Sequence, residues 1–212
     1  MSEQQDLTPE ATDDSGAPLR PDDVHMADAT PSSAAPAGMA PRRATVGFML
    51  RHPARWIALG FGSGLSPVAP GTVGTLWAWL SFVLLRPHLA ELQWLLLIAV
   101  GTLVGVWACT RCAQHLGVAD PGSIVWDEIL AFWLVLCLVM PVGFGGQLLA
   151  FGLFRYFDAA KPGPVRWADG LFKCRPGEAI GWRQGLGILL DDFVAAGCTL
   201  VVLALWRFTI GG

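Results

Sequence analysis

From Leu92 to Cys109 the chain runs without a single charged residue. About 20 apolar residues are needed for a helix to cross the hydrocarbon core of a bilayer. This run approaches that length, and so does Leu186 to Phe208, which carries Asp191 and Asp192 near its start. Three shorter apolar runs accompany them: Val73 to Leu85, Ile124 to Met140 and Leu148 to Ala160. None alternates with the period of two that marks a half-buried strand. The expected fold is therefore all-α, a membrane-associated bundle of about five or six helices over residues 46–212. The shorter helices are expected to be tilted, or buried against protein rather than lipid.

Composition agrees. Charged residues make up only 15% of the chain and hydrophobic ones 53%, whereas a soluble domain carries about 25% charged residues. Ten tryptophans stand against one tyrosine, and indole rings favour the membrane interface. Charge is unevenly placed. Residues 1–46 hold eight acids and three bases, and residues 47–212 hold nine acids and eleven bases. The slightly basic body suits anionic lipid headgroups. Residues 1–45 are rich in Ala, Pro, Ser, Asp and Thr without apolar periodicity. Such a segment buries too little surface to offset its ordering entropy, so a disordered acidic tail is expected. It has no basic start followed by an apolar run, and so does not read as a secretory signal.

Acids inside the apolar runs are the informative anomaly. On insertion scales a carboxylate at the centre of a membrane helix costs about 2.5–3.5 kcal/mol. Asp127, Glu128, Asp158, Asp191 and Asp192 all lie within such runs or at their ends. The body's small excess of bases does not pair them all. A divalent cation between helices would, because hard cations take carboxylate oxygens. Adjacent acids point about 100° apart on a helix, so in each doublet one can ligate while its neighbour orients water. The competing reading is helix-end placement, which the helix dipole favours by about 0.3–1 kcal/mol. It suits Asp127–Glu128 after Gly122–Ser123, and Asp191–Asp192 after Gly185 and Gly187.

Arg155, Asp158 and Lys161 recur at i, i+3 and i+6, so successive members share a helix face. They form either a salt-bridge ladder or a phosphate site with a base at each end. Pro162 and Pro164 stop the helix just after Lys161. A second candidate is the loop GFGSGLSPVAPGTVGT (60–75). Its glycines allow close backbone approach, Thr72 can cap the next helix, and free amides there favour an anion. Ser63, Gly64 and Thr72 are its candidate substrate contacts. Gly-Lys-Ser/Thr is absent, so the loop is not a Walker A motif. The five cysteines are scattered without framework spacing, which argues against disulfides. Cys109-x-x-Cys112 with His115 lacks a second ligand pair for a zinc site.

Four stretches together resemble the phosphatidylglycerophosphatase A family: FGSGLSPVAPGTVGTL (61–76), GSIVWDEILAFW (122–133), FRYFDAAKPGPVRWAD (154–169) and GLGILLDDFVAAG (185–197). Their order and spacing are similar to that family across nearly all of residues 47–206. The resemblance implies hydrolysis of the phosphate monoester of phosphatidylglycerophosphate to phosphatidylglycerol. It also implies Mg²⁺ dependence and a place in the bacterial inner membrane, with the site facing the cytoplasm. It makes Asp127, Glu128, Asp158, Asp191 and Asp192 the catalytic and metal-binding acids, with Arg155 and Lys161 as bases for the phosphate. Ala131 departs from the glycine expected after the Asp-Glu pair, and an alanine precedes the last glycine of DDFVAAG.

The expected partners are an anionic phospholipid substrate and the membrane, with no nucleic acid. Phosphate monoester hydrolysis is among the slowest uncatalysed reactions, calling for accelerations up to about 10²¹-fold. Water and an aspartate are both open as nucleophile. The sequence has no C-x₅-R loop and no Asp-x-Asp-x-Thr/Val element. One alternative function remains, a membrane ion transporter whose intramembrane carboxylates bind the cation.

Overall fold

The computed structural model describes residues 42–174 and 178–210, and among these it contains helices and no strand. The tail expected over residues 1–45 lies outside the described residues except for its last four. There the Arg42 N–H donates to the Leu116 carbonyl at 3.0 Å, and the Thr45 hydroxyl accepts from the Phe48 N–H, capping the first helix.

Two short helices lead in, α1 (Val46–Met49) and α2 (Pro53–Ala58), followed by a 3₁₀ turn over Gly60–Leu65. Five long helices form the bundle: α3 (Pro70–Leu85), α4 (Glu91–Leu116), α5 (Trp126–Val139), α6 (Phe144–Ala160) and α8 (Trp182–Ile210). Between the last two lies α7 (Pro164–Leu171), a short helix inside a stretch that reads as polar loop. Pro164 at its first position supplies the fixed φ that starts a helix.

Helix α5 is the axis. Trp126 through Trp133 are all buried, as are Val135 and Leu136. A helix apolar on all sides belongs in a core, and α5 packs against α3, α4 and α8. Its tryptophans find acceptors there. The Trp126 indole N–H donates to the Gly101 carbonyl of α4 at 3.0 Å, and that of Trp133 to the Ala78 carbonyl of α3 at 3.0 Å.

Helices α4 and α8 are long and apolar enough to cross a membrane, and only 28% and 39% of their apolar windows are buried. Their free faces are not polar. On α4, Leu92, Leu96, Val100, Leu103 and Trp107 are exposed at helical spacing. Such a stripe suits lipid rather than water. On α8, Trp182 and Trp206 are exposed at opposite ends, about 36 Å apart along the axis. That spacing is of the order of a hydrocarbon core about 30 Å thick, at whose boundaries indoles are favoured.

Neighbouring contacts fix the directions. Trp133 meets Ala78 and Trp126 meets Gly101, Gln114 bonds the Ile180 carbonyl just before α8, and on α6 Gln147 near the start meets Trp79 while Arg155 near the end meets Glu128 in the first turn of α5. Helices α3, α5 and α8 therefore run one way, and α4 and α6 the other. The N-terminal ends of three helices thus gather at one end of the bundle with the C-terminal end of α6, which carries Asp158 and Lys161.

Candidate active site

The acidic doublets do not act as units. Glu128 from α5, Asp158 from α6 and Asp192 from α8 offer carboxylate oxygens that all lie within 4.8 Å of one another. Asp127 and Asp191 stand beside this triad. Both doublets are buried, and one oxygen of each of Asp127, Glu128, Asp191 and Asp192 is buried with no hydrogen-bond partner.

Helix-end placement accounts for only one doublet. Asp127 and Glu128 are in the first turn of α5, where the dipole favours them. Asp191 and Asp192 lie more than two turns inside α8, because that helix starts at Trp182 and continues through Gly185 and Gly187. The start of their own helix does not help them.

Two bases enter the acidic site. Arg155 Nη1 donates to Glu128 Oε1 at 3.2 Å and also contacts Asp158 Oδ2. The salt-bridge ladder expected along α6 therefore holds for its first pair. It stops at Lys161, which pairs instead with Asp191 and, at 2.7 Å, with Asp169 of α7. The reason is backbone conformation. Lys161 ends α6 in the left-handed region, φ 43° and ψ 54°, which turns its side chain from Asp158 toward α7 and α8. A non-glycine residue there costs about 1–2 kcal/mol, so the surrounding ion pairs have to hold it.

Lys161 and Asp169 shift in the directions an ion pair requires. Burial alone pushes the Lys161 ammonium down, but hydrogen bonds to Asp169 and Asp191 outweigh it and hold the group above the usual lysine range. Burial pushes the Asp169 carboxyl up, yet hydrogen bonds from Lys161 and Lys173 carry it below its ordinary value. Its two carboxylate partners thus favour the charged form of Lys161.

The glycine loop approaches the site at Gly71, a position that no motif in the sequence singles out. A Cβ on Gly71 would lie 2.0 Å from Glu128 Oε1 and 3.1 Å from Arg155 Nη1. Only a glycine lets the start of α3 press against that pair. The other loop candidates are structural in their visible contacts. The Ser63 hydroxyl donates to the Gly60 carbonyl at 2.8 Å, closing the 3₁₀ turn. A Cβ on Gly64 would lie 2.1 Å from the Ser123 carbonyl oxygen, so this residue fits the loop against the entry to α5. Thr72 does not cap α3: Ala69 is the N-cap, and Thr72 lies within the first turn because Pro70 starts the helix earlier.

All five cysteines are free. The carboxylate triad, and no cysteine cluster, is the metal-competent group among the described residues. Five acids share two bases here, one of which also serves Asp169, and several oxygens are left unsatisfied in a buried site. Oxygen-only donors of this kind fit a hard divalent cation such as Mg²⁺.

The sequence matches the phosphatidylglycerophosphatase A family over residues 56–207. The chain belongs to the phosphatidylglycerophosphatase A family. Phosphatidylglycerophosphatase A of Escherichia coli K12 is 37% identical over 146 residues, covering 69% of this chain and 78% of the relative. The Haemophilus influenzae protein of the same name is 37% identical over 154 residues, covering 73% and 88%. A Bacteroides thetaiotaomicron relative, provisionally named a phosphatidylinositol-3-phosphatase, is 34% identical over 163 residues, covering 73% and 94%. No solved structure matches the chain. Membership of this phosphatase family disfavours the ion-transporter alternative. The family match spans every residue of the acidic site, from Gly71 to Asp192.

Proposed function

We propose that this chain hydrolyses the phosphate monoester of phosphatidylglycerophosphate, giving phosphatidylglycerol and inorganic phosphate, with Mg²⁺ as its cofactor. The observation that carries the reading is the buried triad of Glu128, Asp158 and Asp192, with Arg155 and Lys161 reaching its edges. A site of acids alone would repel a phosphate, and a site of bases alone would need no cation.

Glu128, Asp158 and Asp192 would hold the Mg²⁺, with Asp127 and Asp191 beside them. When bound, the ion supplies neutralising charge for the phosphate oxygens and acidifies water. Arg155 spends only Nη1 on its two carboxylates, leaving Nη2 and Nε to grip phosphate oxygens. Lys161, held by Asp169 and Asp191, would add positive charge at the other edge of the triad for the bound phosphate. The first turns of α3 and α5 add backbone N–H groups that favour an anion. Burial of the carboxylates keeps bulk water from screening these charges.

We place the site on the cytoplasmic side of the bacterial inner membrane. Arg51, Arg55, Arg111, Arg166, Lys173 and Arg183 belong to the site end of the bundle, and Arg86 and Arg207 to the other. Cytoplasmic flanks carry the excess of Lys and Arg. The test is phosphate release from phosphatidylglycerophosphate by the purified chain in detergent micelles. Cation flux through liposomes without phosphate release would overturn the reading.

A further inference from the structure

Where α2 meets the end of α4, one arginine and two histidines hold donors that no described residue takes up. Arg55 Nε donates to His115 Nδ1 at 3.1 Å, and Arg55 Nη1 to the Phe48 carbonyl at 2.9 Å. The guanidinium lies 3.9 Å from the centre of the Phe48 ring. These contacts fix Arg55 and leave Nη2 over. His52 Nδ1 accepts from the Ala54 N–H at 3.1 Å. Each imidazole thus spends Nδ1 as an acceptor and carries its proton on Nε2. The two ring centres are 5.2 Å apart. Arg51 is exposed next to His52, and the Arg42 N–H bonds the Leu116 carbonyl at the end of α4. Among the described residues, none of Arg42, Arg51, Arg55 and Arg111 is in an ion pair. Burial and the charges of Arg42 and Arg51 push the Arg55 guanidinium below its usual range, with only Cys112 opposing them. This corner is therefore basic and carries no described carboxylate partner.

The same corner touches the lipid-facing side of the bundle. The His52 ring is 6.1 Å from that of Trp107, which belongs to the exposed apolar stripe of α4. A cavity of about 430 Å³ adjoins it, lined by Leu50, Arg51, His52, Pro53, Trp56 and Ile57. Leu50 is 57% exposed and Trp56 41%, so cations and apolar side chains share one surface. That combination suits the headgroup layer, where charge meets phosphate and an indole meets the top of the acyl chains. A free anion would need the donors alone.

We propose that Arg51, His52, Arg55 and His115, with Leu50 and Trp56, bind the headgroup of an anionic phospholipid at a site separate from the acid triad. This goes beyond the phosphatase reading and does not depend on it. Arg51 supplies charge for the phosphodiester. Arg55 Nη2 and the imidazole N–H groups are the donors left for its oxygens, and Leu50 and Trp56 take the adjoining glycerol and acyl carbons. A lipid held there fastens α2 to the end of α4.

The melting temperature of the full chain in neutral detergent micelles, followed as lipid is added, tests this. Phosphatidylglycerol raises it saturably, by about 2–4 °C or more once the lipid is well above its dissociation constant. Phosphatidylcholine, whose phosphate is offset by its own cation, does not. Arg51→Gln removes most of the rise. His52→Asn keeps a helix cap but loses the ring N–H, and reduces it. Arg86→Gln, at the other end of the bundle, keeps it. Lipid bound only at the acid triad would stabilise Arg51→Gln as much as the wild type, and that result overturns the site. An equal rise with inorganic phosphate overturns the lipid as occupant. A wild type that shows no rise also overturns the proposal, which is the result if the acidic residues 1–41 fill the corner instead. None of these measurements uses phosphate release, so the site stands or falls apart from the phosphatase reading.

Discussion

Arg155 Nη1 bridges Glu128 and Asp158, one carboxylate from α5 and one from α6. A single guanidinium thus serves two members of the triad. All three side chains are at most 20% exposed, so solvent screens the contacts weakly. Arg155→Ala should lower kcat/KM by about 100-fold or more, the scale for losing a donor aimed at transition-state charge. It should also lower the melting temperature, because two buried acids lose their partner. Arg155→Lys should recover the melting temperature more than the activity, since lysine replaces the charge but not the fork of donors. Steady-state kinetics and thermal unfolding of the two variants check this.

Lys161 and Asp191 should be coupled energetically. Lys161→Ala leaves Asp191 without its cation, and Asp191→Asn leaves the lysine with Asp169 alone. The double variant should be more stable than the sum of the single losses predicts, by about 0.5–3 kcal/mol. A double-mutant cycle on thermal unfolding measures it, and strict additivity would contradict the pairing.

Gly71 should not tolerate a methyl group. A Cβ there would lie 2.0 Å from Glu128 Oε1, so Gly71→Ala must move either α3 or the Glu128–Arg155 pair. Overpacking of this kind costs about 1–3 kcal/mol. Activity should fall more steeply than stability, because the displaced atom belongs to the triad. Gly122→Ala is the matched control, since nothing lies within 4 Å of its added Cβ.

The Asp169 clamp sets a pH limit on the docking of α7. Despite the opposing effect of burial, hydrogen bonds from Lys161 and Lys173 hold its carboxyl below the ordinary value of 3.8. A lowered acid contributes stability above its unfolded value and loses it as pH falls through the folded one. The clamp should therefore be intact from neutral pH down to about 4 and open only in stronger acid. Asp169→Asn should remove this dependence. Tryptophan fluorescence from Trp167 on α7, followed against pH, reports the difference.

Much of the fold is legible in the sequence because its signal is the apolar run itself. Leu92–Cys109 became the body of α4, and the run ending at Phe208 became α8. Helix α7 was hidden, because eight residues around Trp167 and Asp169 are too few and too polar to show a period. Only Pro164 announced it, as a first-position proline. The site was half legible. Five costly acids pointed to a cation, but adjacency suggested doublets, and tertiary packing divided each pair. Where α8 begins decided that Asp191 and Asp192 lie mid-helix. The Lys161–Asp169 and Lys161–Asp191 contacts depended on the left-handed turn at Lys161, which no local pattern indicates.

The most direct test is the Mg²⁺ dependence of phosphate release from phosphatidylglycerophosphate by the wild type and by Asp192→Asn, with folding monitored in parallel. The wild type should lose activity on chelation and regain it with added Mg²⁺. Asp192→Asn should stay folded, lose activity, and need far more Mg²⁺ for whatever remains. Full activity of the wild type in excess chelator, or an unaltered Mg²⁺ requirement in Asp192→Asn, would contradict a cation site built on Glu128, Asp158 and Asp192.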